Sequence, residues 1–276
     1  MWCECFGDEP AYVDGLYEAL EAEGYALFDD SGKMVSSLTA YDVGEMDGRT
    51  VAVMYAVCTL PTERGMGHAS ELIRYATDQL QSDGKAVITS PAGESLVEFY
   101  RRLGFSKRFT ADELILTDDE EDIIDDEEDG DFGEYHQSVR VEIIDLEEYG
   151  RYREAFLRDT EHVKLNSRML NFVQSESTNG QGMLSINRSD TGCDAICVVV
   201  MGDDERMVLA ELLVDPRLLA VSSEITEELA MGLAKMFELD AVSCRTVGCG
   251  YTQSLMFVGN EEQGEQGEAY FGFPID

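Results

Sequence analysis

Tyr55-Ala56-Val57-Cys58-Thr59-Leu60-Pro61-Thr62-Glu63-Arg64-Gly65-Met66-Gly67-His68-Ala69 is the stretch on which the reading of this chain turns. Its first five residues continue an apolar, partly β-branched run that begins near Thr50 and has strand character, and Pro61 closes that run. From Gly67 to Leu80 the apolar residues Ala69, Leu72, Ile73, Ala76 and Leu80 recur with helical period, and Gly84 ends the segment. Glycines between a strand and a helix let the backbone approach a ligand closely. The first amides of a helix also lack an intrahelical acceptor, so the junction is suited to an anion such as a pyrophosphate. A lone GxG is weak evidence, because glycines are common in plain turns.

Working outward, the upstream pattern predicts a helix over Tyr12–Glu21 and strands over Tyr25–Phe28, Met34–Tyr41 and Thr50–Thr59. Asp29-Asp30-Ser31-Gly32 and Asp47-Gly48 supply the turns of antiparallel hairpins. Downstream come a short strand at Ala86–Thr89, a loop containing Ser90-Pro91-Ala92, a helix over Ser95–Leu103, and a strand pair near Phe105–Phe109 and Glu113–Leu116. That helix carries Phe99-Tyr100-Arg101-Arg102-Leu103-Gly104-Phe105.

With the two motifs in this order and at this spacing, the chain resembles the GNAT superfamily of N-acetyltransferases. That family's pyrophosphate loop is written [QR]xxGx[GA], and its later helix commonly ends as FYxxxGF. Here the loop reads Thr62-Glu63-Arg64-Gly65-Met66-Gly67, with Thr62 where the family often has Gln or Arg. The match is firm over Met34–Phe105. Met1–Asp8 looks like the end of the family's first helix, without the usual first strand: a truncated start, a compact variant, or an edge strand supplied by the second half.

The resemblance implies acetyl-CoA as cosubstrate and direct attack of an amine on the thioester. It implies a cofactor-binding set of Cys58, Thr59, Leu60, Arg64, Gly65, Met66, Gly67, His68, Ala69 and Ser95. Within that set a backbone amide near Cys58 faces the oxyanion, and Thr59 and Leu60 meet the pantetheine arm. Tyr100 matches the family's general acid; a phenol with a pKa of about 10 is protonated at neutral pH and can donate to the leaving thiolate. The alternative for Tyr100 is a buried aromatic that anchors its helix. Cys58 falls on an apolar strand with no histidine near in sequence, so its thiol reads as core filling rather than a nucleophile. His68 reads as a buried or phosphate-side imidazole. The strand Thr50–Thr59 contains no carboxylate to serve as base. Asp42 and Glu45 lie in the turn region before it, and by analogy with the enhanced-intracellular-survival type the expected base is the terminal carboxylate at Asp276, with a water relay as the alternative.

Asp118–Asp131 (DDEEDIIDDEEDGD) is acidic at 11 of 14 positions, too self-repelling and too poor in apolar residues to pack. It divides the chain into an expected GNAT domain at 1–117, an acidic linker at 118–134 and a second, degenerate GNAT-like domain at 135–276. In that second half the pattern predicts strands at Val139–Ile144, Gly182–Asn187, Ala195–Met201, Arg206–Val214 and Ala241–Arg245, and helices at Leu146–Leu157, Val163–Val173 and Ser222–Phe237. Pro61 stands 26 residues before Val87 and Pro216 stands 26 before Val242, a weak internal repeat. The matching junction, Asp215-Pro216-Arg217-Leu218-Leu219-Ala220, has no glycine loop, so one cofactor site per chain is expected. The fold class that follows is α/β (α+β): two domains, each a mixed, mostly antiparallel sheet flanked by helices.

The 276 residues hold 20 Lys and Arg against 57 Asp and Glu, a net charge of −37, which repels phosphate backbones and argues against nucleic acid as a partner. No apolar run reaches the ~18 residues of a membrane span, and Met1 is followed by no basic and apolar leader, so a cytoplasmic, unexported chain with no membrane partner is expected. The seven cysteines are odd in number and several sit in apolar runs, which suggests reduced thiols. Neither the Cys3/Cys5 nor the Cys193/Cys197 spacing is a CxxC pair, and His68, His136 and His162 are scattered, so no structural metal is expected. The expected partner is a small, cationic amine acceptor, with room left for a homo-oligomer. The competing reading is an acyl-CoA-binding or interaction protein that kept the fold and lost catalysis.

Overall fold

The computed structural model describes residues 1–117, 139–188, 192–201, 206–259 and 269–273. The acidic run, most of the expected linker, and Asp276 lie outside the described residues. In chain order the elements are α1 (Trp2–Phe6), α2 (Pro10–Leu20), β1 (Glu23–Phe28), β2 (Met34–Met46), β3 (Arg49–Thr59), α3 (His68–Ser82), β4 (Ala86–Thr89), α4 (Glu94–Arg101) and β5 (Phe105–Thr117). They continue as β6 (Arg140–Ile143), α5 (Leu146–Phe156), β7 (Lys164–Leu165), α6 (Ser167–Glu176), β8 (Met183–Asn187), β9 (Ala195–Met201), β10 (Met207–Val214), α7 (Pro216–Leu219), α8 (Ile225–Met236) and β11 (Ala241–Phe257).

These elements form two compact units. The first comprises Met1–Ala111, Thr160–Phe172 and Cys249–Asp276, the second Asp112–Asp159 and Val173–Gly248. The expected partition was linear and the observed one is not, because Thr160–Phe172 and the chain's last segment belong with the first unit.

In the first unit β1, β2 and β3 form an antiparallel meander, β3 runs parallel to β4, and the C-terminal part of β11 pairs antiparallel with β4 through Leu255↔Thr89. The β2–β3 turn is Asp47-Gly48, with both residues at positive φ, as a two-residue hairpin whose twist matches its strands requires. β2 extends to Met46, beyond the expected Tyr41, so Asp42 and Glu45 are strand residues opposite Ala52 and Thr50 rather than turn residues. The apolar face of α3 (Leu72, Ile73, Ala76, Leu80) closes over Leu38, Ala40, Ala52 and Met54, joined by Val97, Tyr100, Leu103 and Phe105. The chain opens on α1, a helix of its own, and enters the sheet at β1. The two residues of β7 pair with β2 at Gly44 and Glu45, so a segment from beyond the acidic run does join this sheet.

The second unit repeats the plan. β6, β8, β9 and β10 are antiparallel in order, and β10 runs parallel to β11 through Met207↔Val242. The core under α8 gathers Leu229, Ala230, Leu233 and Ala234 against Leu209, Leu212 and Val242. The repeat seen in sequence is thus a strand–helix–parallel strand unit, β3–α3–β4 and β10–α8–β11. Three expectations are corrected. The pair at 105–109 and 113–116 is one strand, β5, because Thr110-Ala111-Asp112 between them holds neither Gly nor Pro and stays in the strand. The strand expected at Ala241–Arg245 runs on through Gly248 and Gly250 to Phe257 as the 17-residue β11. The expected helix from Val163 begins at Ser167, because Asn166 caps it, its Oδ1 accepting from Met169 N at 2.7 Å, and residues 164–165 pair instead with β2.

Candidate active site

β3 and β4 pair through Val51↔Ala86, Ala52↔Val87, Val53↔Ile88 and Met54↔Thr89, and then part. Two residues past the last rung Ala56 has φ 50°, a left-handed conformation costly for a residue with a Cβ, and the register against β2 slips between Ser37 and Thr39. This bulge turns β3 away from β4 and leaves Tyr55–Thr59 paired on one side only. Leu60 N donates to Val35 O at 3.1 Å, so by the alternation of an antiparallel ladder the Cys58 amide also faces β2, while the backbone groups of Thr59 point away from β2. Of the residues expected to meet a cofactor, then, Leu60 has its amide engaged. Thr59, with Val57 two residues before it, presents backbone to the split. Ser36 supports the segment: its Oγ donates to Cys58 O at 2.8 Å and lies 3.0 Å from Thr59 Oγ1.

The chain then makes a single 3-10 turn at Pro61–Glu63 and enters the glycine loop. Gly65 has φ 81° and Gly67 φ 93°, and nothing lies within 4 Å of where a Cβ would stand on either. Gly67 caps α3 without any side chain, and the first helical bond is Glu71 N to Gly67 O at 3.0 Å. The amides of His68, Ala69 and Ser70 are therefore first-turn donors without an intrahelical acceptor. Arg64, Met66 and both glycines are exposed, His68 and Ala69 half-buried. Arg64 Nε donates to Thr59 O at 3.2 Å and His68 Nε2 stands 4.0 Å from Glu63 Oε2, so both side chains brace the loop. The open cradle, two positive-φ glycines and a run of free amides suit a pyrophosphate.

Tyr100 is buried, its ring edge-on to Phe99 at 5.2 Å and Phe105 at 5.8 Å. Its hydroxyl has the Thr89 hydroxyl as hydrogen-bonding neighbour, and burial pushes its pKa above that of a free phenol, so it stays protonated. Thr89 Oγ1 in turn donates to Met54 O at 3.2 Å. The phenol thus reaches the point where β3 and β4 separate. Gly104 of the same motif has φ 98°, and a Cβ there would meet the Phe257 ring at 2.7 Å. Ser95 is exposed in the first turn of α4. Thr89 and Ser36 were missed in sequence. Only their strand neighbours flagged them, since a serine or threonine on a strand carries no motif.

Asp42 is engaged by Lys85 Nζ at 2.8 and 3.0 Å, an ion pair that ties β2 to the start of β4. The tail bears on the expected base. Ala269 N donates to Arg108 O at 3.0 Å and Thr110 N to Ala269 O at 2.8 Å; on the other side Tyr270 N donates to Glu161 O at 2.8 Å and Val163 N to Tyr270 O at 3.1 Å. Tyr270, Phe271 and Phe273 are buried, so the tail is zipped into the first unit as far as residue 273. Asp276 lies outside the described residues.

The second unit has the same split without the cradle. β10 and β11 pair as far as Leu209↔Cys244, and β10 then slips register before Glu211. Glu211 is wholly buried, accepting from Tyr149 Oη and, at 3.2 and 3.3 Å, from Arg153 Nε, itself 1% exposed. At the helix junction the Asp215 carboxylate accepts from Arg217 N at 2.9 Å and pairs with the Arg217 guanidinium. Acids at Glu224, Glu227 and Glu228 surround the start of α8. Negative charge thus gathers at this junction, whereas the start of α3 has two bare glycines, although α8 itself has no side-chain cap. Among the described residues no group of three His, Cys, Asp or Glu side chains is placed to hold a metal, and no helix is long and apolar enough to cross a membrane.

Residues 1–105 match the model of the acetyltransferase (GNAT) family. No curated protein matches the chain. Among solved structures the fold is shared with a probable N-acyltransferase from Enterococcus faecalis, at TM-score 0.63 and 12% identity over 92% of this chain and 67% of that one. It is shared with a GCN5-related N-acetyltransferase from Anabaena variabilis, at 0.61 and 12% over 93% and 66%. Eis1 from Mycobacterium abscessus follows at 0.56 and 12% over 93% and 69%. This chain spans about two thirds of the length of those structures. The open cradle, the bulged strand and the match to the acetyltransferase (GNAT) family model coincide in one stretch of sequence, residues 1–105.

Proposed function

We propose that the chain is an acetyl-CoA-dependent N-acetyltransferase with one working site, in the first unit, acting on a primary amine of a small cationic acceptor. The observation that carries this reading is the continuity of the split after Met54↔Thr89 with the glycine cradle at Gly65–Gly67, which suits a ligand with an extended arm and a pyrophosphate. The first-turn amides of α3 hold the pyrophosphate, with the side chains of Arg64 and His68 bracing the loop around it. The backbone of Thr59 and Val57 meets the pantetheine arm and the thioester oxygen. When bound, acetyl-CoA supplies the acyl group and the leaving thiolate. Tyr100 Oη, kept protonated by burial, delivers the proton that the thiolate takes up. Attack by an uncharged amine needs a base, and the carboxylate at Asp276 is assigned that role; burial of the tail through Phe273 supports it.

Thiol release from acetyl-CoA, followed over a panel of polyamines, aminoglycosides and lysine-like amines, tests the reading. Amine-dependent release supports it. Tight CoA binding with no release over the whole panel would sink it in favour of a binding protein.

A further inference from the structure

Two thiols meet beside the bulge. α1 packs on β3, its Trp2 ring edge-on to Tyr55 at 5.3 Å, and Cys5 lies three residues on from Trp2, on the same face of that helix. Tyr55 and Cys58 would alternate on a regular strand. The bulge at Ala56 restores them to one face, since their β2 partners are Thr39 and Ser37, two residues apart. Cys58 Sγ stands 3.2 Å from Ser37 Oγ, and Cys5 is its other side-chain hydrogen-bonding neighbour. Cys58 is buried, and burial holds its thiol above the ordinary range, so alone it is inert; Cys5 is partly exposed. The other cluster, Cys193, Cys197 and Cys244, has no exposed member, and burial raises all three thiols, so no oxidant has an entry there.

We infer that Cys5 and Cys58 form a peroxide-responsive dithiol: Cys5 is the reacting thiol and Cys58 the resolving one, and the disulfide between them switches off the site on β3. The Cys5 thiolate attacks the peroxide oxygen, breaking the O–O bond to give a sulfenic acid and, with a proton, one water. Cys58 Sγ then attacks the Cys5 sulfur, expelling a second water, so two thiols and one peroxide give one disulfide and two waters. Bonding draws the sulfurs inside van der Waals contact and pulls β3 towards α1 at the residues whose backbone faces the thioester. Displacements of this kind, about 1 Å, cost roughly 100-fold in rate when they misplace reacting groups. The effect on transfer rests on the proposed function; the disulfide itself does not.

The test exposes the full chain to stoichiometric hydrogen peroxide, maps its peptides by mass spectrometry, and follows transfer and CoA binding before and after dithiothreitol. A linked Cys5–Cys58 peptide with two hydrogens lost, a fall in transfer of at least about tenfold, and recovery on reduction are expected. Cys5→Ser and Cys5→Ala should keep the starting rate and resist peroxide, and Cys3→Ser should remain sensitive. Links through Cys3 or Cys249 instead, oxidation without a link, or a linked protein with undiminished transfer would each overturn the switch. If the untreated chain shows no transfer, the functional reading fails separately, and the linked peptide and the change in CoA affinity still decide the dithiol.

Discussion

Thr89 Oγ1 donates to the Met54 carbonyl at 3.2 Å across the last rung that joins β3 to β4. It fixes the fork from which the two strands diverge, and the Tyr100 hydroxyl leans on the same threonine. One hydroxyl therefore couples the strand split to the side chain that would donate a proton there.

Tyr100→Phe keeps the ring packed against Phe99 and Phe105 and removes only the hydroxyl. It should lower kcat by about 10- to 1000-fold with little change in CoA affinity, because a general acid acts on the transition state. Parallel loss of CoA binding by calorimetry would mark Tyr100 as a packing residue instead.

Gly67→Val should abolish CoA binding while circular dichroism shows the chain still folded. The space around Gly67 is open, so the cost is a left-handed φ of 93° imposed on a β-branched residue and a side chain where the pyrophosphate must approach. Unchanged affinity would remove the loop from the site.

Calorimetry of the whole chain should give one CoA per molecule. The second junction has no glycine and carries Asp215 before α7 and Glu224, Glu227 and Glu228 at the start of α8, and negative charge there repels phosphate. A stoichiometry near two would make the protein a tandem enzyme.

Glu211→Gln should lower unfolding free energy by about 3–5 kcal/mol, because it removes the buried carboxylate charge that accepts from the Arg153 guanidinium and the Tyr149 hydroxyl. Chemical denaturation reads this, and a loss below about 1 kcal/mol would show that the pair is solvated.

Asp215 predicts an acid-dependent component of stability. Its hydrogen bonds from Arg217 hold the carboxyl below the usual range, so the folded pKa lies under the unfolded one. The contribution is complete above the ordinary aspartate pKa of about 3.9 and is lost as pH falls through the folded value. Asp215→Asn should therefore be less stable than the parent at pH 7 and no less stable well below pH 3.9; equal stability at both ends would deny the linkage.

The sequence by itself determined the cradle and its setting. Gly65 and Gly67 between an apolar strand and a periodic helix leave few local conformations, because positive φ and exposed first-turn amides are properties of the backbone at those positions. Tyr100 was legible for the same reason, being part of a short motif whose Gly104 must be glycine against Phe257. The tertiary structure alone decided the rest. The bulge at Ala56, where β3 parts from β4, is one such feature, since nothing local marks an alanine for a left-handed φ. The Thr89–Met54 contact, the Cys5–Cys58 pair and the Tyr149–Glu211–Arg153 cluster join residues 35, 53 and 58 to 62 positions apart, pairings that only packing selects. The assignment of residues 160–172 and 249–276 to the first unit has the same cause. Strand pairing is a non-local choice, and hydrophobic periodicity names the element without naming its neighbour.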